Sequence, residues 1–368
     1  MMLHFAPPQT AAPSASAVRL VTLADQQERA RLEGWLAAHP RTTAFHRPIW
    51  GEAVASATGH DYLALLAEDG RGAITGFLPL HAVHSPLFGG AMVSAGFAVD
   101  GGILATDDAS GAALAEAAWQ WTERYSAPTL ELRGGWLPDD PRWTIKSDAH
   151  AGFAADLVED GPDADRKQLE WVPRKQRAEV RKGLANDLVV RTGSGALDRQ
   201  QQYAVYAESV RNLGTPVFPR ALFEAVMEAF GDDADILTVL HNDVPVASVL
   251  NLYHRGTVMP YWGGGVWDAR ALRANDVMYY ALMNHARQRG CTRFDFGRSK
   301  VGTGAFAFKK NWGFEPAPLS YAVRNADGLP PRDVNPLSPK YRLQIALWQR
   351  LPLGIANRLG PWIANGLG

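Results

Sequence analysis

DILTVLHNDVPVASVLNLYHRGTVMPYWGGG (Asp235–Gly265) contains three aliphatic and β-branched runs separated by two short turns. DILTVLHN turns into VPVASVLNLYH, and Arg255-Gly256 separates that run from TVMPYWGGG. Runs of this length, broken by turn residues, read as an antiparallel meander. A helix is expected from Asn275 to Arg289, with Asn275 as N-cap, Asp276 as a first-turn acid and Gly290 as its stop. TRFDFG (Thr292–Gly297) then reads as a short strand. In such an α/β unit a site lies at the C-terminal edge of the strand, here Gly297, Arg298 and Ser299.

The same order occurs upstream. VRLVTL (Val18–Leu23) reads as a strand and Gln26 to Ala38 as an amphipathic helix. DYLALLAED and AITGFLPLHAVH form a hairpin about Gly70 and Gly72. A glycine-bearing strand is expected in SAGFAVDGGIL (Ser94–Leu104), then an Ala-rich helix from about Ala109 to Tyr125 and the strand TLELRG (Thr129–Gly134). Helices are expected over Asp163–Leu184, Asp198–Asn212 and Pro219–Phe230. Hairpin, strand, helix and strand in both halves read as duplication of one unit.

The chain has 368 residues, enough for two ordinary domains. Its net charge of −1 gives no global pull towards nucleic acid or anionic lipid, so such a partner has to meet a local patch. The single cysteine, Cys291, excludes an internal disulfide and a CxxC metal site, and reads as a buried structural thiol. No metal is expected. Residues 1–17 are rich in Pro, Ala and Ser, read as disordered, and lack the apolar run of a secretion signal. No stretch reaches the ~18 to 20 apolar residues that span a bilayer. A cytoplasmic location is the expectation.

YWGGG (Tyr261–Gly265), then Asn275, Met278 and Tyr279 on a helix, FDFGRS (Phe294–Ser299) and GTGAFAFKKNWG (Gly302–Gly313) resemble the C-terminal signature of Fem-like transferases. NLGTPVFPRALF (Asn212–Phe223) is also similar to that family. With KYRLQIALWQRLPLGIANRLGP (Lys340–Pro361), the combination most resembles the Fem-like proteins of the exosortase/PEP-CTERM exopolysaccharide system. The resemblance covers nearly all of the chain after about Phe45. It implies an α/β fold of two tandem GNAT-like (acyl-CoA N-acyltransferase) domains, at 18–160 and 161–325. A Pro-rich linker and short helical tail would occupy 326–368. The implied activity is N-acyl or aminoacyl transfer to an amine of a small-molecule or lipid-linked cell-envelope precursor. No cofactor is held permanently; the co-substrate is acetyl- or acyl-CoA, or charged tRNA.

Acyl transfer to an amine needs a base, a donor for the developing oxyanion and aligned substrates. No G-x-S-x-G elbow, H-E-x-x-H or P-loop lysine is present, which favours direct transfer. The resemblance gives Lys309 the oxyanion role; otherwise Lys309 and Lys310 are a solvated helix face. It places an acidic residue near Asp100 for the acceptor amine, although Asp-Gly is also a turn pair. Arg298 and Ser299 would hold the donor, or Arg298 would pair with Asp295. Gly302 and Gly304 either admit a phosphate close to the backbone or form an ordinary turn. Phe308 would line the donor side, and Tyr261 either lines the cleft or belongs to the core.

Where an ordinary acyl-CoA enzyme carries R/Q-x-x-G-x-G/A, this chain reads DARALRAND (Asp268–Asp276), with Arg273 and Asn275 but no glycine. Its arginines could serve CoA or tRNA phosphates. Arg174, Arg177 and Arg181 recur at helical spacing, as an anion-binding stripe or a solvated face. Two other classes share these features: an inactive transferase fold acting as a binding protein, and a regulator gripping RNA or DNA through 174–182. After Asp333 no acidic residue occurs, while Lys340, Arg342, Arg350 and Arg358 do. This basic, Trp-bearing tail either lies on the inner membrane face or packs back on the protein.

Overall fold

The computed structural model describes residues 17–329 and 339–368. The start expected to be disordered (1–16) and residues 330–338 of the linker lie outside it. Strand β1 (Ala17–Leu20) leads to α1 (Gln26–Ala38), which Asp25 caps by accepting from the Gln27 and Glu28 N–H groups. Helix α2 (Pro48–Thr58) opens on proline and ends at Gly59. Then come the hairpin β2 (Asp61–Glu68) and β3 (Ile74–Val83), β4 (Ala91–Ser94), β5 (Leu104–Ala105), α3 (Asp108–Arg124) and β6 (Thr129–Arg133). β7 (Thr144–Asp156), α4 (Ala164–Trp171), α5 (Arg174–Leu184), β8 (Leu188–Gly193), α6 (Ala196–Leu213) and α7 (Arg220–Phe230) follow. The second meander is β9 (Ala234–His241), β10 (Val244–His254) and β11 (Thr257–Gly265), with α8 (Ala269–Leu272), α9 (Ala274–Gln288) and β12 (Arg293–Lys300) behind it. The chain continues through α10 (Gly304–Asn311), β13 (Pro316–Asn325), α11 (Pro339–Trp348) and α12 (Leu353–Asn365).

All the strands join one sheet in the order β1-β2-β3-β4-β6-β13-β7-β12-β11-β10-β9-β8, with β5 on β3. The expected repeat is visible in the pairing. Each half has a meander whose last strand runs parallel to the strand after the crossover helix, β4 with β6 and β11 with β12. Each parallel ladder contains only two residue pairs, Met92–Leu130 and Val93–Glu131 in one, Thr257–Arg293 and Val258–Phe294 in the other. Beyond those pairs the two strands share no ladder.

The last strands are exchanged. β7, although it follows β6 in sequence, pairs with β12; β13 lies between β6 and β7. Each half is thus completed by a strand encoded in the other. An aromatic core also crosses the junction: Phe45 and Trp50 from the first half pack on Tyr261, and Trp50 also meets Phe230 and Trp262. Burying such rings contributes roughly 1.5–3 kcal/mol each before entropy is counted. Cys291 is free and buried, as expected.

Several local expectations are corrected. SAGFAVDGGIL is mostly loop: Ala95, Phe97 and Gly101 take φ of 43°, 62° and 114°, outside strand geometry. The helices expected over Asp163–Leu184 are two, divided where Pro173 drives Val172 to extended backbone. Asn275 is not the cap of α9; Arg273, with φ 57°, precedes its first turn and Asn275 lies inside it. Gly290, at φ 82°, stands at its stop as expected.

Candidate active site

Loop 95–102 crosses from the first half to the second. Its carbonyls are held in succession: Phe97 O accepts from the Tyr261 hydroxyl at 2.5 Å, Ala98 O from Arg133 Nη1 at 3.0 Å, and Val99 O from the Tyr321 hydroxyl at 2.7 Å. Tyr261 reaches the loop because it is the extra residue of a bulge in β11, opposite Leu250 and Asn251 of β10. The clamp presents Asp100, whose Oδ1 accepts from Gly101 N–H at 2.6 Å. Burial raises the Asp100 carboxyl above its ordinary range, against the Gly101 N–H and the charge of Arg41.

Facing it, β12 bulges between Asp295 and Arg298 where it pairs with β7. Gly297, at φ 71°, makes the turn, and its N–H donates to Asp295 Oδ1 at 2.8 Å. Burial raises Asp295 as well; the charge of Asp100 adds to the rise while Lys309 opposes it. Lys309, on α10, points inward, whereas Lys310 is exposed. The Lys309 ammonium donates to Gly297 O at 3.2 Å and Arg298 O at 3.0 Å, and lies over the rings of Phe153 and Phe296. Burial lowers its pKa to about 8, with Asp295 opposing and Arg298 adding to the fall. An ammonium has three N–H donors, so two carbonyls leave one for a ligand. Asp295 thus feels both the Asp100 carboxylate of the first half and the Lys309 ammonium of the second.

A groove of about 210 Å³ lies at the C-terminal end of β11 and reaches Phe308, the neighbour of Lys309 on α10. Gly264, Trp267, Arg270, Asn275, Tyr279 and Phe308 line it. The volume suits an acyl arm better than a whole ligand, for which roughly 300–1,000 Å³ is typical. Asn275 Oδ1 is buried without a hydrogen-bond partner among the described residues. Such an atom is costly unless something fills its site.

The other expected residues fall differently. Arg298 donates to the Tyr321 hydroxyl at 2.8 Å instead of pairing with Asp295. Ser299 is buried, its hydroxyl unpartnered among the described residues. Gly302 and Gly304 face open space on either side of Thr303, whose hydroxyl caps α10. Arg273 is engaged by Glu179 and by Arg270 O. Arg177 closes the end of α4 by donating to Val172 O and Glu170 O, while Arg174 and Arg181 are exposed. His46 is a brace, bonded to Thr43 and Gly102 O. Asp295 and Tyr321 are the residues that sequence reasoning did not place. Asp295 stood in the quoted FDFG, but its meeting with Asp100 is a tertiary fact; Tyr321 lies in a strand that was not foreseen. Among the described residues no group of three or more His, Cys, Asp or Glu side chains could hold a metal.

The family model of an acetyltransferase (GNAT) domain matches residues 171–310. A search of curated proteins returned no match. Among solved structures, the chain is similar to FemX, with a TM-score of 0.62 at 14% identity, covering 80% of this chain and 95% of that one. It is similar to a tandem GNAT protein from the clavulanic acid biosynthesis pathway, with a TM-score of 0.55 at 13% identity over 85% of this chain and 100% of that one. A protein of unknown function from Bacteroides thetaiotaomicron aligns with a TM-score of 0.53 at 11% identity, covering 84% and 100%. At such identities the likeness concerns the fold, which is mixed α/β with two tandem GNAT-like halves.

Proposed function

We propose that this protein is an N-acyltransferase that passes an acyl or aminoacyl group directly to an amine of a cell-envelope precursor. The observation that carries the reading is the inward Lys309 ammonium, lowered to about 8 and held on Gly297 O and Arg298 O, with Asp295 coupled both to it and to Asp100 of the other half. The amine attacks the carbonyl carbon of a thioester or ribose ester. A C–N bond forms, the C–S or C–O bond breaks, and the amine proton passes to the Asp100 carboxylate. The leaving sulfur or oxygen takes up a proton from solvent as it departs, and Asp100 returns its proton to solvent. Lys309 donates its remaining N–H to the oxyanion, a contact worth about 3 kcal/mol in comparable sites. The groove at Asn275 and Phe308 receives the acyl arm, and the exposed Arg174 and Arg181 meet phosphates of the donor or acceptor. The FDFGRS and GTGAFAFKKNWG motifs, with the tail sequence, extend the reading to an exopolysaccharide precursor of the exosortase/PEP-CTERM type.

Calorimetry with acetyl-CoA, charged tRNA and uncharged tRNA at fixed salt tests the donor. Saturable binding of acetyl-CoA, or tighter binding of charged than of uncharged tRNA, selects the donor. Filling the groove by Asn275→Trp should weaken it at least about tenfold. Binding of neither donor would defeat the reading.

A further inference from the structure

The two tail helices carry a second surface, independent of the transfer chemistry. α12 seats on the body through Ala356, Gly360 and Ala364, which recur at four-residue spacing and are buried. The approach at Gly360 is close, since a Cβ there would stand 3.0 Å from Val217 N. The turn after α11 is tied down by Arg211, which donates to Gln349 O and Leu351 O, and by Gln349, whose side chain donates to Asn212 O. The tail therefore packs back, yet each of its helices keeps large apolar side chains uncovered. Ile355, Leu359 and Trp362 follow one another at four- and three-residue spacing on α12, and Leu343 and Leu347 at four on α11. Their exposure runs from 45% at Leu359 to 70% at Leu343. Leu213, at the end of α6 beside this contact, is exposed as well.

Large apolar side chains grouped in this way mark a docking surface more often than chance exposure. The charge of the segment identifies the partner. Residues 334–368 contain four basic residues, Lys340, Arg342, Arg350 and Arg358, and no acid. The Arg350 and Arg358 side chains are exposed. Exposed apolar side chains that include a tryptophan, in a segment whose own charges are all basic, fit the interface of an anionic lipid bilayer. A protein partner would have to supply both an apolar groove and a compensating acidic rim. We propose that the outer side of α11 and α12 docks on an anionic lipid surface. The seat is next to the active loop: Arg133 donates Nη2 to the main-chain oxygen of Gly368 at 2.8 Å and Nη1 to Ala98 O. Docking would hold the cleft close to a membrane-borne acceptor.

Co-sedimentation of the full chain with vesicles of phosphatidylcholine alone, and with vesicles containing phosphatidylglycerol, tests this. The expected result is binding to the anionic vesicles, weakened about tenfold or more by omitting phosphatidylglycerol or raising the salt. Leu347→Glu with Trp362→Glu, and separately Arg350→Glu with Arg358→Glu, should each weaken it about tenfold at unchanged melting temperature. No binding to either vesicle, or binding that both double variants leave intact, overturns the proposal. So does a concentration-dependent dimer that Leu347→Glu disperses, since the surface would then be covered by a second copy. None of these outcomes bears on the transferase reading.

Discussion

The Tyr321 hydroxyl donates to the carbonyl of Val99 at 2.7 Å while accepting from Arg298, so one phenol joins the strand-end arginine of the second half to the loop of the first. Because Val99 precedes Asp100, this hydroxyl fixes the backbone next to the carboxyl assigned as base. Tyr321→Phe removes the link without changing volume. The expected cost is about 1 kcal/mol in urea denaturation. Hydrogen exchange should rise at residues 97–101, and kcat should fall while donor affinity stays constant. An unchanged kcat would make the clamp purely structural.

The state of Lys309 sets a pH limit. Its ammonium must stay charged to stabilise an oxyanion, so the rate should fall as pH rises through about 8. Asp100 must be ionised, and its pKa lies above the ordinary value, so the acid limb should sit above the usual carboxylate range. Lys309→Arg, whose charge persists at all accessible pH, should abolish the alkaline limb even at a reduced rate. Stability behaves oppositely. A lysine whose folded pKa is below its usual 10.5 favours the neutral form, so from this group the fold gains stability between pH 8 and 10.5. A rate loss in that window is therefore separable from unfolding.

Four histidines predict acid lability. His46, His81, His150 and His254 are each lowered from 6.5 to about 4, burial being the main cause. The stability they hold is complete above pH 6.5 and is lost as pH falls towards 4, because the unfolded chain takes up protons first. For the fully buried His46 and His81 the loss is on the order of 2–3 kcal/mol each. The urea midpoint should drop steeply over that window, and a flat profile would contradict the burial described.

Much of the fold was legible because its determinants are local. The aliphatic runs in DILTVLHN and VPVASVLNLYH and the Gly290 stop each act within a few residues. β7 and β13 were not legible. Their residues include SDAHAG and PAPLS, weakly apolar stretches that become strands by pairing with each other and with strands of both halves. At the site, the resemblance favoured Lys309 over Lys310, but which of them points inward is set by packing on Phe153 and Phe296. Asp100 read equally as a turn residue, because what singles it out is the clamp on Phe97, Ala98 and Val99.

Gly304 tests whether the donor reaches the start of α10. A Cβ there has nothing within 4 Å, so Gly304→Ala should leave stability unchanged or raise it by up to about 1 kcal/mol. If a donor phosphate lies against this backbone, donor affinity should nevertheless fall severalfold in calorimetry. Unchanged affinity would remove Gly304 from the donor site. Gly264→Ala gives the contrasting case: its Cβ would stand 2.2 Å from Ser209 Oγ, so α6 must shift, at a cost of roughly 1–3 kcal/mol.

The most direct test is single-turnover transfer of a labelled acyl group to an amine acceptor, from acetyl-CoA and from charged tRNA, by the wild-type chain and by Lys309→Met. The account predicts transfer from one donor, about a hundredfold slower in the variant at equal donor occupancy, with Lys309→Arg recovering part of the rate. Transfer by Lys309→Met at the wild-type rate, or none from either donor by the wild-type chain, would contradict it.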